Sequence, residues 1–468
     1  MLFRQPSARS FSIASVTCAT AAATATVSRM SKSDSSVSAA AVSSASSSRS
    51  QSDLRTGDLS DSPPPMSSKN PPPRRTFMSA LASMDLPLDF KTAVSQWWHA
   101  PSLEVTERKV LSFLPFFPAP DATRKAESQM IELSKGRSLN EFEITRTTEP
   151  VEEELVVLHG YGAGLAFFYR NFDGLSQVPG WRLHALDLLG YGRSSRPKFK
   201  VKAKDKYEAV YASENWFIDS LEEWRKKKGI EKFTLMAHSM GGYIGVAYAL
   251  RHPERIKRLI LVSPAGVPRD PWVVHEDEAH PPSSGLGSEF TSTQADTTKH
   301  STKPADKRAM ELKRPIPNWL VFLWERHVSP FSIVRYAGPL GPQLVSLWTS
   351  NRFSLLPKDE ATALHSYVLG LFTARGSGEY AITRLLAPGA YARIALLDRI
   401  NKLEVPTLWM YGENDWMDIK AGVKAASQMR SNGVDSNCVV IEKAGHHLYL
   451  DNPESFNAVV IDAMRKTE

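Results

Sequence analysis

From about Arg137 onward, short apolar runs alternate with stretches of helical periodicity. "EELVVLHG" reads as a strand entering a Gly-rich loop, and "WRLHALDLLGYG" as a second strand ending in a turn. "FTLMAHS", "RLILVSPAG", "VPTLWMYG" and "NCVVIEKAGH" read as further strands. Between them, "SENWFIDSLEEWRKKKG" is an amphipathic helix with Gly229 as its C-cap, and "NPESFNAVVIDAM" a closing helix capped by Asn452. Strands alternating with helices predict an α/β fold, a mostly parallel sheet with helices on both faces.

The alternation lapses twice. Between Gly266 and about Tyr391 the pattern is helices and loops, which predicts a helical lid inserted between two strands. Inside it, a polar stretch at about 274–314, including "HPPSSGLGSEFTSTQADTTKHSTKPADK", predicts disorder. Upstream, from Thr76 to about Glu132, the pattern is helical but broken by prolines. There Trp97, Trp98, Phe113, Phe116 and Phe117 suit either a membrane interface or packing onto the core. The resulting plan is 1–75 disordered, 76–135 helical and membrane-contacting, 136–265 the first part of the core, 266–391 the lid, and 392–468 the second part of the core.

Composition changes this plan at the N-terminus. The first acidic residue is Asp34, preceded by Arg4, Arg9, Arg29 and Lys32 among Ser, Ala and Thr. That is the composition of a mitochondrial presequence, and no apolar block resembles a secretory signal. These four cations account for most of the formal net charge of +7, and the remaining +3 argues for no nucleic-acid partner. The cysteines are Cys18 and Cys438, so a chain without its presequence has no disulfide framework. No apolar run is long enough for a transmembrane helix.

The candidate chemistry centres on "AHSMGG", residues 237–242. A serine hydroxyl needs a base, a group that orients the base, and donors for the oxyanion. Ser239 sits between a strand and an Ala/Gly-rich helix, the context of a G-x-S-x-G nucleophile turn, with Ala237 where the first glycine belongs. The turn "HGYG", residues 159–162, follows the first strong strand, so the backbone N–H groups of Tyr161 and Met240 are the candidate oxyanion hole. His446 ends the last strand and is the candidate base, preferred to its neighbour His447. Asp415, ahead of Asp418, is the candidate acid, with Asp187 as runner-up and better suited to bracing a turn. The order Ser239, Asp415, His446 is that of α/β hydrolases. His446 and Asp451 also form H-x-x-x-x-D, a spacing used by some glycerolipid acyltransferases, although Asp451 equally suits a helix start. No metal, dinucleotide or nucleotide motif is present, so no cofactor is expected.

Together "LHGYGAG", "DLLGYGRSSRP", "AHSMGGYIGVAYALRHPERIKRLILVSPAGVP", "YGENDWMD" and "AGHHLYLDNPESFN" resemble one branch of the α/β-hydrolase superfamily. That branch includes the animal lipid-droplet lipase coactivator, an N-acyl-phospholipid lipase, plant lysophosphatidate acyltransferase-like hydrolases and the yeast mitochondrial cardiolipin-specific deacylase. The resemblance covers roughly residues 90–468 apart from the polar insert. It implies a glycerophospholipid substrate and a peripheral membrane setting. The coactivator looks like a member whose serine became asparagine, whereas Ser239 makes this chain similar to the catalytic, fungal-type members. Three functions follow as expectations: a mitochondrial acyl hydrolase of phospholipids, cardiolipin foremost; a lysophospholipid acyltransferase using acyl-CoA; and a non-catalytic lipase regulator. The expected location is peripheral to the mitochondrial inner membrane, with the lipid droplet or cytosol as alternatives.

Overall fold

The computed structural model describes residues 88–203, 205–270, 283–284, 292–300 and 314–467. The expected presequence and disordered N-terminus, and most of the 274–314 insert, lie outside the described residues.

Eight strands make one sheet among the described residues: β1 (Arg124–Leu133), β2 (Arg137–Arg146), β3 (Glu153–Leu158), β4 (Trp181–Leu186), β5 (Phe233–His238), β6 (Ile256–Val262), β7 (Thr407–Gly412) and β8 (Ser436–Ile441). Their order is β1-β2-β4-β3-β5-β6-β7-β8. The pairings from β4 through to β8 are parallel, while β1–β2 and β2–β4 are antiparallel. Val156 and Leu158 enter one hydrophobic cluster and Leu155 and Val157 the other, so the alternating side chains of β3 bury both faces.

Helices α1 (Phe90–Trp98), α2 (Leu103–Leu111), α3 (Tyr169–Leu175), α4 (Lys206–Lys228) and α5 (Met240–Arg251) precede the lid region. There α6 (Asn318–Glu325), α7 (Phe331–Tyr336), α8 (Leu340–Arg352) and α9 (Lys358–Thr373) lie between β6 and β7. Helices α10 (Ile419–Ser431) and α11 (Pro453–Arg465) complete the described set, along with shorter turns. Helix α4 ends at Gly229 in the left-handed conformation (φ 67°), and the Asn452 side chain caps α11. No helix among the described residues is long and apolar enough to cross a membrane.

The upstream helical expectation needs correction. Helix ends at Leu111, and Arg124–Leu133 is a strand hydrogen-bonded along its length to β2. The cause is local: Lys135 (φ 61°) and Gly136 (φ 64°) both take positive φ, the tight-turn geometry that closes a hairpin. The aromatic residues of this region divide by burial. Phe116 and Phe117 are buried, whereas Trp97 and Trp98 are exposed, the latter at 71%. Buried Glu107 fastens α2 to the core through Arg193 (2.8 Å) and Asn140 (2.9 Å). Burial and the nearby Asp187 charge push its carboxyl up to about 8.

Part of the stretch predicted to be disordered is folded down onto the core. Thr293 and Asp296 form a reciprocal cap over Gln294–Thr297, and Gln294 is buried. Asn414 Nδ2 donates to the carbonyls of Thr297 (2.7 Å) and Lys299 (2.8 Å). A polar composition hides such docking, because what holds the segment is hydrogen bonding rather than apolar burial.

Candidate active site

The chain reaches β4 on one side of β3 and returns to β5 on the other. Such a reversal opens a crevice at the carboxyl ends of the strands. The "HGYG" turn leaves β3 there, and Ser239 leaves β5.

Ser239 links β5 to α5 at φ 53°, ψ −118°, a strained turn for a residue with a Cβ. Small neighbours make it fit. A Cβ on Gly241 would lie 2.4 Å from the His159 carbonyl oxygen, and one on Gly242 2.9 Å from Pro264 Cβ. Ala237 stands where a glycine was expected, and its methyl faces Gly245 on α5: a Cβ at 245 would come within 3.3 Å of it. The missing glycine is therefore compensated two turns along the helix.

His446 Nε2 is 3.1 Å from Ser239 Oγ, and His446 Nδ1 is 3.2 Å from Asp415 Oδ1. The sequence-predicted Ser239, His446 and Asp415 thus converge, and all three are buried. An Nδ1–H facing the carboxylate leaves the Nε2 lone pair to accept the serine proton. Burial alone would raise the Asp415 carboxyl; the hydrogen bond and charge of His446, the Ser263 hydroxyl and the Met417 N–H outweigh it and hold it below the usual range. The carboxylate is thereby kept ionised beside the imidazole.

Ser263 is the residue that sequence reasoning missed. It follows β6 with φ 45°, and its Oγ lies 2.7 Å from His446 Nδ1. The hydroxyl shares Nδ1 with Asp415 and also bonds to that carboxylate. Its only sequence signal was position, at the carboxyl end of the strand next to β5. His238 is a second omission: its Nε2 meets the His446 carbonyl at 3.0 Å, holding the backbone of the base. Burial first, then the neighbouring His446, keeps His238 well below the ordinary imidazole range and hence neutral.

The two candidate oxyanion donors are placed differently. Met240 is the first residue of α5, where a backbone N–H has no acceptor within the helix. Tyr161 follows Gly160, whose added Cβ would come within 2.9 Å of Ser239 Cβ, so this turn is packed on the serine. His159 braces it: Nδ1 lies 2.7 Å from the Gly160 carbonyl oxygen, and Nε2 accepts the Leu188 N–H at 3.1 Å. Asp187 also acts as a brace, accepting the N–H groups of Leu165 (2.9 Å) and Arg193 (2.8 Å). Asp418 caps α10 through the Ala421 N–H at 3.0 Å.

The lid region covers this chemistry. Phe331 on α7 stacks on Tyr161 with centroids 4.7 Å apart and planes 9° apart, and Phe372 on α9 stacks on Phe331 at 4.6 Å. Ser239 is left 8% exposed and His446 6%.

Asp451 does not join His446. Both imidazole nitrogens are engaged by Ser239, Asp415 and Ser263. Asp451 instead receives Arg352 of α8 at 2.7 Å, Gln294 at 3.2 Å and the Gly445 N–H at 2.9 Å. It ties the lid region and the folded insert to the loop before His446. Replacing it (Asp451→Asn) removes the carboxylate that buried Arg352 meets at 2.7 Å, a loss of about 3 kcal/mol. Thermal denaturation is expected to show that loss. Hydrolysis and any acyl transfer should then decline together; selective loss of transfer would restore Asp451 as a catalytic partner.

One cluster among the described residues has metal-ligand character: Glu141, Glu143 and His184. Lys228 Nζ already bridges the two carboxylates, at 3.1 and 2.6 Å. Burial would lower the His184 pKa, but hydrogen bonds to Glu141 and Glu154 outweigh it and raise it. The acids are thus already met by Lys228 and by His184, and the cluster lies on the antiparallel side of the sheet, away from Ser239.

Comparison with known proteins agrees with this fold. A family model described as the alpha/beta hydrolase fold matches residues 154–311. A probable 1-acylglycerol-3-phosphate O-acyltransferase of Oryza sativa is 37% identical over 69% of this chain and 70% of its own. The (lyso)-N-acylphosphatidylethanolamine lipase of Mus musculus is 32% identical over 68% of this chain and 81% of its own. The human 1-acylglycerol-3-phosphate O-acyltransferase ABHD5 is 30% identical over 76% of this chain and 88% of its own. The chain belongs to the α/β-hydrolase family. Its relatives within that family carry lipid-directed names, and this hydrolase shares with the family the eight-stranded, mostly parallel sheet on which Ser239 is mounted.

Proposed function

We propose that this hydrolase is a serine esterase that removes fatty acyl chains from glycerophospholipids. The observation that carries the reading is the chain of contacts Ser239 Oγ, His446 Nε2, His446 Nδ1 and Asp415 Oδ1. In the proposed reaction His446 takes the Ser239 proton as Oγ attacks the ester carbonyl. The N–H groups of Met240 and Tyr161 receive the oxyanion. His446 then protonates the departing lysolipid alkoxide. Water, deprotonated by the same imidazole, releases the fatty acid and restores Ser239. Asp415 stabilises the imidazolium formed in each half-reaction.

The lipid substrate class is supported by the names of the relatives. Cardiolipin at a mitochondrial membrane is the finer proposal, supported by the acid-free, basic and Ser-rich N-terminal segment. Exposed Trp97 and Trp98 suit a peripheral membrane setting. An acyltransferase reading draws on the names of the rice and human relatives. In it, the same acyl-enzyme is resolved by a lysolipid hydroxyl instead of water.

The test is product analysis by mass spectrometry, with the purified chain on vesicles of cardiolipin or of phosphatidylcholine. Monolysocardiolipin and free fatty acid are expected, with cardiolipin cleaved at least tenfold faster. Equal rates on both lipids would sink the cardiolipin proposal and leave the esterase standing. Release of fatty acid only into added lysophosphatidate would identify a transferase.

A further inference from the structure

From Arg196 to Lys204 the sequence reads "RPKFKVKAK", with five cations and no acid in nine residues. The segment follows β4 without regular secondary structure. Lys198, Lys200 and Lys202 are exposed, while Phe199, Val201 and Ala203 between them are half-buried. The alternation exposes all three lysines along one short stretch, a row of cations at the surface. Phe199 pins the row by packing edge-on against Trp216, centroids 5.1 Å apart. None of the three lysines has a carboxylate partner among the described residues. Like charges close together and uncompensated among the described residues repel one another, and that favours an anionic ligand.

The position of the row tells what kind. Arg196 at its start donates to the Arg375 carbonyl at 2.9 Å, and the Ser377 hydroxyl bonds to the Pro197 carbonyl. The same loop receives Arg335 of α7 at the Ala374 carbonyl, 3.1 Å away. Helix α7 turns Phe331 inward onto Tyr161 and leaves Ile333 and Tyr336 exposed, Tyr336 at 88%. A row of cations and an apolar helix face therefore meet at one loop, beside the cover of the active site. A soluble polyanion would use the charges and leave the apolar groups in water. An anionic bilayer uses both, the lysines at headgroup phosphates and Tyr336 and Ile333 at the acyl boundary.

We infer that Lys198, Lys200 and Lys202, with the outer face of α7, form a docking surface for anionic phospholipid bilayers. It sets the α7 cover against the lipid, and it rests on the lipid-esterase reading given above. Each lysine near an anionic surface multiplies partitioning about fivefold, so the three together are worth roughly a hundredfold.

The experiment is co-sedimentation of the full chain with vesicles of phosphatidylcholine alone or with about one-third phosphatidylglycerol, at low and high salt. The wild type is expected to bind the anionic vesicles at least about thirtyfold more tightly, and to lose that preference in high salt. The triple variant Lys198→Glu, Lys200→Glu, Lys202→Glu is expected to bind them no better than neutral ones. Its rate on a short-chain soluble ester should match the wild type, which also shows that it is folded. Wild-type binding without anionic preference, or a triple variant that binds as the wild type does, overturns the inference. So does an RNA homopolymer that engages the lysine row while vesicles do not. If the soluble ester is not cleaved even by the wild type, the esterase reading fails while the vesicle result still decides the surface.

Discussion

Ser239→Ala is expected to lower kcat for phospholipid deacylation by about four to six orders of magnitude. Covalent labelling by a fluorophosphonate probe should vanish with it. The reason is the geometry at one atom: Oγ is the group that His446 Nε2 faces at 3.1 Å. Removing it deletes the nucleophile and leaves the turn intact. Ser and Ala share the same Cβ, so the strain of φ 53° is unchanged and the melting temperature should hold within a few degrees. A Ser239→Gly chain should also be inactive yet more stable by about 1 kcal/mol, because glycine takes this φ without the Cβ conflict. That opposition separates a strained, functional turn from one that merely shapes the loop. Ser239→Ala protein that still releases fatty acid at the wild-type rate would overturn the nucleophile assignment, and the regulator reading would return.

The second large effect belongs to Asp415→Asn, with kcat falling by about three to four orders of magnitude and KM little changed. An amide NH2 turned toward Nδ1 favours the tautomer protonated at Nε2, which cannot take the serine proton. Ser263 adds a refinement, since its Oγ lies at 2.7 Å from the same nitrogen. In the asparagine variant this hydroxyl oxygen remains as an acceptor for Nδ1–H and retains part of the productive tautomer. Ser263→Ala alone should cost about tenfold. Added to Asp415→Asn it should cost more than that, a non-additivity that a double-mutant cycle measures. Strict additivity would mean that Ser263 acts independently of how His446 is held.

The parts of the fold set by periodicity were legible in the sequence. Strands β3 to β8 fall on the apolar runs, and α4 ends on Gly229. Strand β1 was not legible, because "RKAESQMIEL" is an edge strand with several exposed positions and only a weak apolar alternation. Its hairpin depends on Lys135 adopting a left-handed turn, which lysine does not advertise. At the site, the Ser239, Asp415 and His446 positions could be read because each follows a recognisable strand within a few residues. Ser263 could not, since a serine directly after an apolar run looks like any strand exit. The place of Asp451 was likewise hidden: its partners Arg352 and Gln294 lie 99 and 157 residues away in the chain. Long-range polar pairs leave no periodic trace.

The ring of Tyr161 rests face to face on Phe331, while the backbone of the same residue belongs to the turn packed on Ser239. Cover and turn are in that sense parts of one mechanical linkage. A helix that lifts away removes the support under the tyrosine, so access and alignment around the serine change in a single movement. With the helix in place Ser239 is 8% exposed, so the way in is narrow and runs past the two stacked rings. Discrimination among substrates then begins before any fit around the carbonyl, at the Phe331–Tyr161 stack.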